Sequence, residues 1–349
     1  MKKATYQIIS ITFLSILLIL GLNQYSYKRN HSKNGFVRLF PPHALGENYK
    51  LSLPSDNYYL AGIYNDIIYI GNATDVGEVL ALDFKLTSIN KMTLPIPDHK
   101  RLAWKAVKNI IRSSFYFRTD IITPSFSYSN LGKNNFEFKN MDQLHFDQIS
   151  PISPSSIFIR SYDLVLKQNI IEKVSFLPNL IVKKQYKLKK QIDGFFCTDG
   201  ELQYDPLSAK LMYMYYYRNQ FTVLDTNLNV LLDTRTIDTN YKAKLTISNF
   251  STSKEKTTTF SSPAHLINKK SYILDENLYI YSTLKSDNED YDVFNKYCVI
   301  DVYNSNNGNY RYSFYLPKHG NKTLTDFAIA DKTIIAVYGQ DILTFNLNL

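Results

Sequence analysis

Cysteine is scarce in this chain: Cys197 and Cys298 are the only two in 349 residues, and neither belongs to a CxxC or to a Cys/His group with zinc spacing. That excludes a local metal or redox motif, and two buried free thiols are expected rather than a disulfide. Tryptophan occurs once and glycine only 12 times. No glycine-rich phosphate cradle, dinucleotide fingerprint, GxSxG elbow or HExxH pair is present. The six histidines (His31, His43, His99, His145, His265 and His319) are scattered, with no pair at helical metal spacing. A long amphipathic helix is also missing from residue 58 onward. No cofactor and no metal are therefore expected.

Acidic residues are absent from positions 1–35, which hold Lys2, Lys3, Lys28, Arg29 and Lys33. They account for five of the net +9, leaving +4 for the rest. A large domain at +4 has no concentrated basic face, so nucleic acid is not expected as a partner. The one basic run, Lys183–Lys190, reads as a solvated outer strand.

Aromatic residues are plentiful: 28 Tyr and 21 Phe, in short runs such as Tyr213–Tyr217. Such runs suit pleated, half-buried strands. At the N-terminus, Lys2 and Lys3 precede the apolar stretch 8–22; extended to Ala4–Tyr25 it is long enough to span a bilayer. No small-x-small cleavage site follows Leu22, so an uncleaved signal anchor over residues 1–27 is favoured, with membrane contact through residues 8–22. Basic residues on both flanks leave orientation undecided by charge alone. Export is chosen: inner membrane, single pass, with the following domain in the periplasm.

Beyond a linker at 28–47 a unit recurs. An apolar, often aromatic strand appears six times: Ile67–Ile70, Phe115–Phe117, Ile157–Ile159, Leu211–Met214, Leu278–Tyr281 and Ile334–Val337. A strand ending in a tight turn precedes it, as at Ile63–Asp66 and Ile273–Glu276. A strand ending in Asp often follows, at Asp83, Asp225 and Asp301, where the carboxylate is expected to cap a hairpin turn. Four antiparallel strands repeated radially make a propeller blade, which needs neighbours on both sides to complete its core. The fold predicted is all-β, a six-bladed β-propeller over 48–349 behind an N-terminal transmembrane signal-anchor helix. The last unit has room for only three strands, and the segment at 48–53 is expected to supply the fourth, closing the ring with 324–349 and hiding an open edge. Two insertions fall between strands. Thr246–Ser262, with ten Ser or Thr, reads as a mobile surface excursion. The acidic loop Ser286–Asp292 echoes a calcium loop but has Val293 where the sharp turn wants glycine, so a solvated hairpin tip is expected.

This six-unit pattern resembles the six-bladed propellers of the NHL and TolB-like type. The stretches Gln191–Gly200, Tyr215–Phe221 and Val299–Tyr303 are similar to those of membrane-anchored proteins of Bacteroidota. The resemblance implies the fold and brings no activity or catalytic residues with it. When the blades are aligned, Arg118, Arg160 and Arg218 each follow the aromatic strand. Gathered at the channel mouth, they would suit a carboxylate or phosphate; alternatively each pairs with an acid such as Asp120 or Asp163 and ties down its own loop. His99 and Arg101, in Pro97–Arg101 ahead of Trp104, are candidates for the same rim. The function read from the sequence is a membrane-tethered, non-enzymatic propeller that presents a loop-rich face to a protein partner or an anionic small ligand. The alternatives are a propeller-fold hydrolase or lyase acting on a sugar or peptide, and a structural component of a membrane complex.

Overall fold

A computed structural model describes residues 2–30, 33–94, 106–133, 135–251, 256–320 and 322–349. Among these, six four-stranded antiparallel sheets follow one another along the chain, five of them running inner, second, third and outer strand in sequence order and the sixth borrowing its outer strand from the other end of the chain. Blade 1 is Tyr58–Tyr64, Ile67–Asn72, Glu78–Leu82 and Ile89–Thr93; blade 2 is Val107–Arg112, Phe115–Asp120, Ser125–Asn130 and Glu137–Asn140. Blade 3 is Phe146–Ser153, Ser156–Asp163, Gln168–Ser175 and Ile181–Lys187; blade 4 is Gly200–Asp205, Lys210–Tyr215, Phe221–Leu224 and Val230–Thr234. Blade 5 is Asn268–Leu274, Asn277–Ser282, Tyr297–Asn304 and Tyr310–Pro317; blade 6 is Asp326–Ala330, Thr333–Tyr338, Asp341–Leu347 and, last, Leu45–Ser52 from the other end of the chain. The chain is a six-bladed β-propeller.

The six aromatic repeats are the second strands, and their composition follows from their place. Each is covered on both faces by neighbouring blades, so alternation gives way to continuous apolar runs. Leu211 through Tyr215 are all at 0% exposure. Outer strands such as Ile181–Lys187 face water and carry the lysines. The tight turns between inner and second strands need left-handed backbone: Asn65 and Asp66 have φ of 49° and 60°, the arrangement a two-residue hairpin of matching twist requires. Asp83 and Asp225 cap the turns between third and outer strands, Asp83 accepting from Thr87 N and Ser88 N, Asp225 from Asn227 N and Asn229 N. Asp301 does not. It lies inside its strand, and Asn304 caps that turn instead.

Ring closure is a single antiparallel pairing, from Leu45 opposite Leu347 to Ser52 opposite Asp341. Asp341 accepts hydrogen bonds from Ser52 Oγ at 2.6 Å and Lys322 Nζ at 2.8 Å, fastening the borrowed strand. These contacts hold its carboxyl well below the usual range, at about 2. Behind the seam, Ile335 and Ile342 of blade 6 pack with Ile68, Ile70 and Leu80 of blade 1.

Among the described residues, the connections between second and third strands and the crossing from blade 3 to blade 4 emerge on one face, here called upper. The N-terminal helix, Lys2–Asn30, has an apolar stretch at Thr5–Tyr25 long enough to cross a membrane. Residues 33–44 then run from the upper face down the outer edge of blade 5. The acidic loop read as a solvated tip instead clasps this segment: Asp287 accepts from Asn34 N at 2.6 Å and from Gly35 N at 3.1 Å, and Asn288 bonds Arg38 N and O. The Ser/Thr-rich excursion forms a hairpin, Ile247–Ser251 with Lys256–Phe260. Cys197 and Cys298 are buried free thiols.

Candidate functional site

The three arginines singled out in the sequence are all buried, but they do not share one cluster. Arg118 sits inside the second strand of blade 2. Its Nη2 donates to Tyr116 Oη at 2.9 Å, its plane lies over the Tyr116 and Phe136 rings, and it reaches Val76 O toward blade 1. Arg160, in the second strand of blade 3, faces the opposite way, toward blade 4. It forms a two-pronged pair with Asp147, bonds Asp199 at 2.7 Å, and donates to Gly200 O and Tyr213 Oη. Burial alone would lower its pKa, but Tyr213, Asp147 and Asp199 raise it further above the usual range. Neither partner carboxylate is Asp163, whose side chain caps its own turn. His99 and Arg101 lie outside the described residues.

Arg218 differs. It follows the second strand of blade 4, is 1% exposed, and lies 3.7 Å over the Tyr215 ring. Its Nη1 donates to Cys197 O at 3.1 Å and its Nη2 to Lys189 O at 2.5 Å, while Nε has no hydrogen-bond partner among the described residues. Among the described residues no carboxylate lies within ion-pair distance of it. Arg218 lines a crevice of about 560 Å3 on the upper rim between blades 3 and 4, with Lys190, Arg235 and Tyr241 among the other lining residues. The single acid there, Asp233, is paired with Lys189, and Gln220 donates to it at 2.7 Å. Burial would raise the Asp233 carboxyl, but these partners bring it below the usual range. Arg235 stacks on Tyr241 at 4.7 Å, and Lys190 is exposed. Among the described residues four basic side chains thus line one opening, and its one carboxylate is already engaged by one of them, Lys189.

The channel mouth on the same face carries a different arrangement. Lys270 Nζ lies 3.1 Å from Glu201 and 3.8 Å from Asp326, and Glu201 also accepts from Ser271 N and Oγ. Enclosure pushes the Asp326 carboxyl up, against the pull of Lys270. These charges come from the inner strands of blades 4, 5 and 6 and satisfy one another.

Sequence reasoning missed two features. Lys189 and Lys190 were grouped with a solvated outer strand, although that strand ends at Lys187 and the last two lysines turn onto the crevice rim. Arg38 was placed in a linker. It is in fact buried in blade 5, its Nε and Nη2 on Asp301 at 2.7 and 3.0 Å and its Nη1 on Glu289 at 2.5 Å. The one available signal was Asp301, an acid in the middle of an apolar strand that asks for a buried cation.

No protein-family model matches the chain, and no curated protein matches it. Among solved structures it is similar to a member of the DUF4221 family from Bacteroides vulgatus, with 14% identity over 90% of this chain and 98% of that one and a TM-score of 0.53. It is also similar to a protein of Bacteroides fragilis described as exported, with 9% identity over 91% of this chain and 98% of that one and a TM-score of 0.47. A third is the Pan2 WD40 domain of Neurospora crassa, with 9% identity over 90% and 98% of the two chains and a TM-score of 0.43. At 14% identity the first likeness shows a shared fold and nothing about activity.

Proposed function

We propose that this chain is a membrane-tethered, non-enzymatic propeller, held in the inner membrane by its N-terminal helix with the blades in the periplasm, that binds an anionic group of a ligand or protein partner in the Arg218 crevice. The observation that carries this reading is a buried guanidinium that has no carboxylate beside it among the described residues. Taking a cation out of water is costly unless an anion accompanies it. Arg118 is wrapped in aromatic rings and Arg160 has two carboxylates, whereas Arg218 has only carbonyl oxygens, a ring beneath it and an opening beside it. A carboxylate or phosphate in that opening would meet Arg218, Lys190 and Arg235 together, with planar donors suited to paired oxygens.

The test is isothermal titration of the full chain in detergent with citrate and with inorganic phosphate. The doubly substituted Lys190→Glu/Arg235→Glu chain changes only rim side chains and should fold normally. It is expected to bind at least about tenfold more weakly. Equal affinity of both proteins for these anions, or none in the wild type, would remove the crevice as the site.

A further inference from the structure

Outside the N-terminal helix, the two most exposed large apolar side chains stand beside two others on the upper face. Leu164 (81% exposed) and Val165 (90%) form the tip of the turn between second and third strands of blade 3, and Ile192 (61%) and Phe195 (49%) belong to the crossing from blade 3 to blade 4. They make one ridge. Gly194 presses so closely on the turn that a Cβ there would lie 1.7 Å from Lys167 O, and Asn169 bonds both Gly194 O and Phe195 O. Both tips are fixed in place. Asp163 accepts from Val165 N and Leu166 N, each at 2.8 Å, and Asp193 accepts from Phe195 N at 2.7 Å. Phe195 rests its ring against Tyr162 and Phe196, and with Leu164, Val165 and Ile192 exposed beside it the ridge is a contact surface rather than ordinary surface scatter.

What covers the ridge follows from the tether. Asn34 is pinned to the upper face by Asp287 and by Thr239 Oγ1, which donates to Asn34 O at 2.8 Å. From Thr239 the contacts continue through Tyr241 O to Gln191, next to Ile192. The apolar stretch of the helix ends at Tyr25 and the helix itself at Asn30. Five helical residues and four extended steps separate Tyr25 from Asn34, which is at most about 22 Å. A membrane that holds the helix therefore lies within about 22 Å of Asn34 on the upper face. The charge next to the ridge agrees: Lys167 and Lys190 are both exposed beside the Leu164 turn, and Lys190 Nζ reaches Leu166 O at 3.4 Å. Apolar tips flanked by lysines fit the interfacial layer of an anionic bilayer.

We propose that the ridge formed by Leu164, Val165, Ile192 and Phe195 rests in the interfacial layer of the bilayer that holds the N-terminal helix, so that the propeller lies upper face down instead of swinging freely. The Arg218 crevice opens on the same rim and then meets its anion at the level of the lipid headgroups. This inference rests on the helix being a membrane anchor, as proposed above, and the experiment separates the two.

The full chain is reconstituted in vesicles of phosphatidylcholine and phosphatidylglycerol, with one environment-sensitive fluorophore on an introduced cysteine. The two native thiols are about 1% exposed and stay unlabelled in the folded protein. Labels go at Leu18→Cys in the helix, at Val165→Cys on the ridge, and at Leu207→Cys, which is 74% exposed on the lower face. Spin-labelled lipid is the quencher. Quenching at positions 18 and 165, at least about threefold stronger at 165 than at 207, is the expected result. A quenched 18 with 165 no different from 207 overturns the ridge contact alone. An unquenched 18 overturns the anchor and the ridge contact with it. Shielding of 165 in native membranes but not in pure lipid also overturns the proposal, since it would give the ridge to a protein.

Discussion

Blades 4 and 5 each bury an arginine, and the two sites have opposite charge balance. Arg38 in blade 5 has its guanidinium filled by two carboxylates and a carbonyl, Leu284 O at 2.8 Å. Its pKa, which burial alone would lower, is raised by Asp301 and Glu289. Arg218 in blade 4 has no carboxylate partner among the described residues and stands beside an opening. Burial marks both residues equally, so burial does not distinguish a structural arginine from a binding one. The presence or absence of a counter-charge does.

The largest expected effect would break this contrast at Arg38. Replacing Asp301 with Asn leaves a fully buried guanidinium half-compensated, and loss of about 3–5 kcal/mol is expected in urea unfolding. A loss below about 1 kcal/mol would mean that the clasp around residues 33–44 does not hold the fold.

The seam gives the next effect. Asp341 has a folded pKa of about 2 against 3.8 for the free group, so its contribution is present above pH 3.8 and disappears as pH falls toward 2. Asp341→Asn should cost about 1.5–3 kcal/mol at neutral pH, because hydrogen bonds to a charged group are lost. It should also flatten the acid limb of stability measured by circular dichroism. An unchanged acid limb would show that the borrowed strand is held by its backbone pairing alone.

The smallest effect sharpens the contrast from the other side. Lys190→Glu with Arg235→Glu should leave stability within about 0.5 kcal/mol, since both sit on the rim. Only anion binding should change. A strong destabilisation would make these residues part of the fold.

The propeller was legible because each blade repeats the same solution. Six second strands that must be apolar on both faces leave six aromatic runs, and left-handed tight turns leave Asn-Asp, Asp-Glu and Asp-Lys pairs before them. The candidate site was legible only in part. Arg218 could be found because it follows a recognisable strand, yet alignment by strand also selected Arg118 and Arg160, which point to opposite sides of their blades. Strand alternation decides that direction, and a shift of one residue reverses it. Arg38 was legible only through Asp301: its partners lie some 250 positions away, and nothing local marks a loop-like segment as the outer edge of a blade. The acidic loop was misread for the same reason, since Asp287, Asn288 and Glu289 are satisfied by residues 34–38 and not by solvent.

The contrast between the two arginines is tested most directly by thermal unfolding of the full chain carrying Arg38→Met or Arg218→Met, measured side by side without added anion. Removing Arg38 strands two buried carboxylates and should lower the midpoint by roughly 10 °C. Removing Arg218 relieves an uncompensated buried charge and should change it by less than about 3 °C. The reverse ranking, with Arg218→Met the more damaging, would contradict the account and return Arg218 to the scaffold.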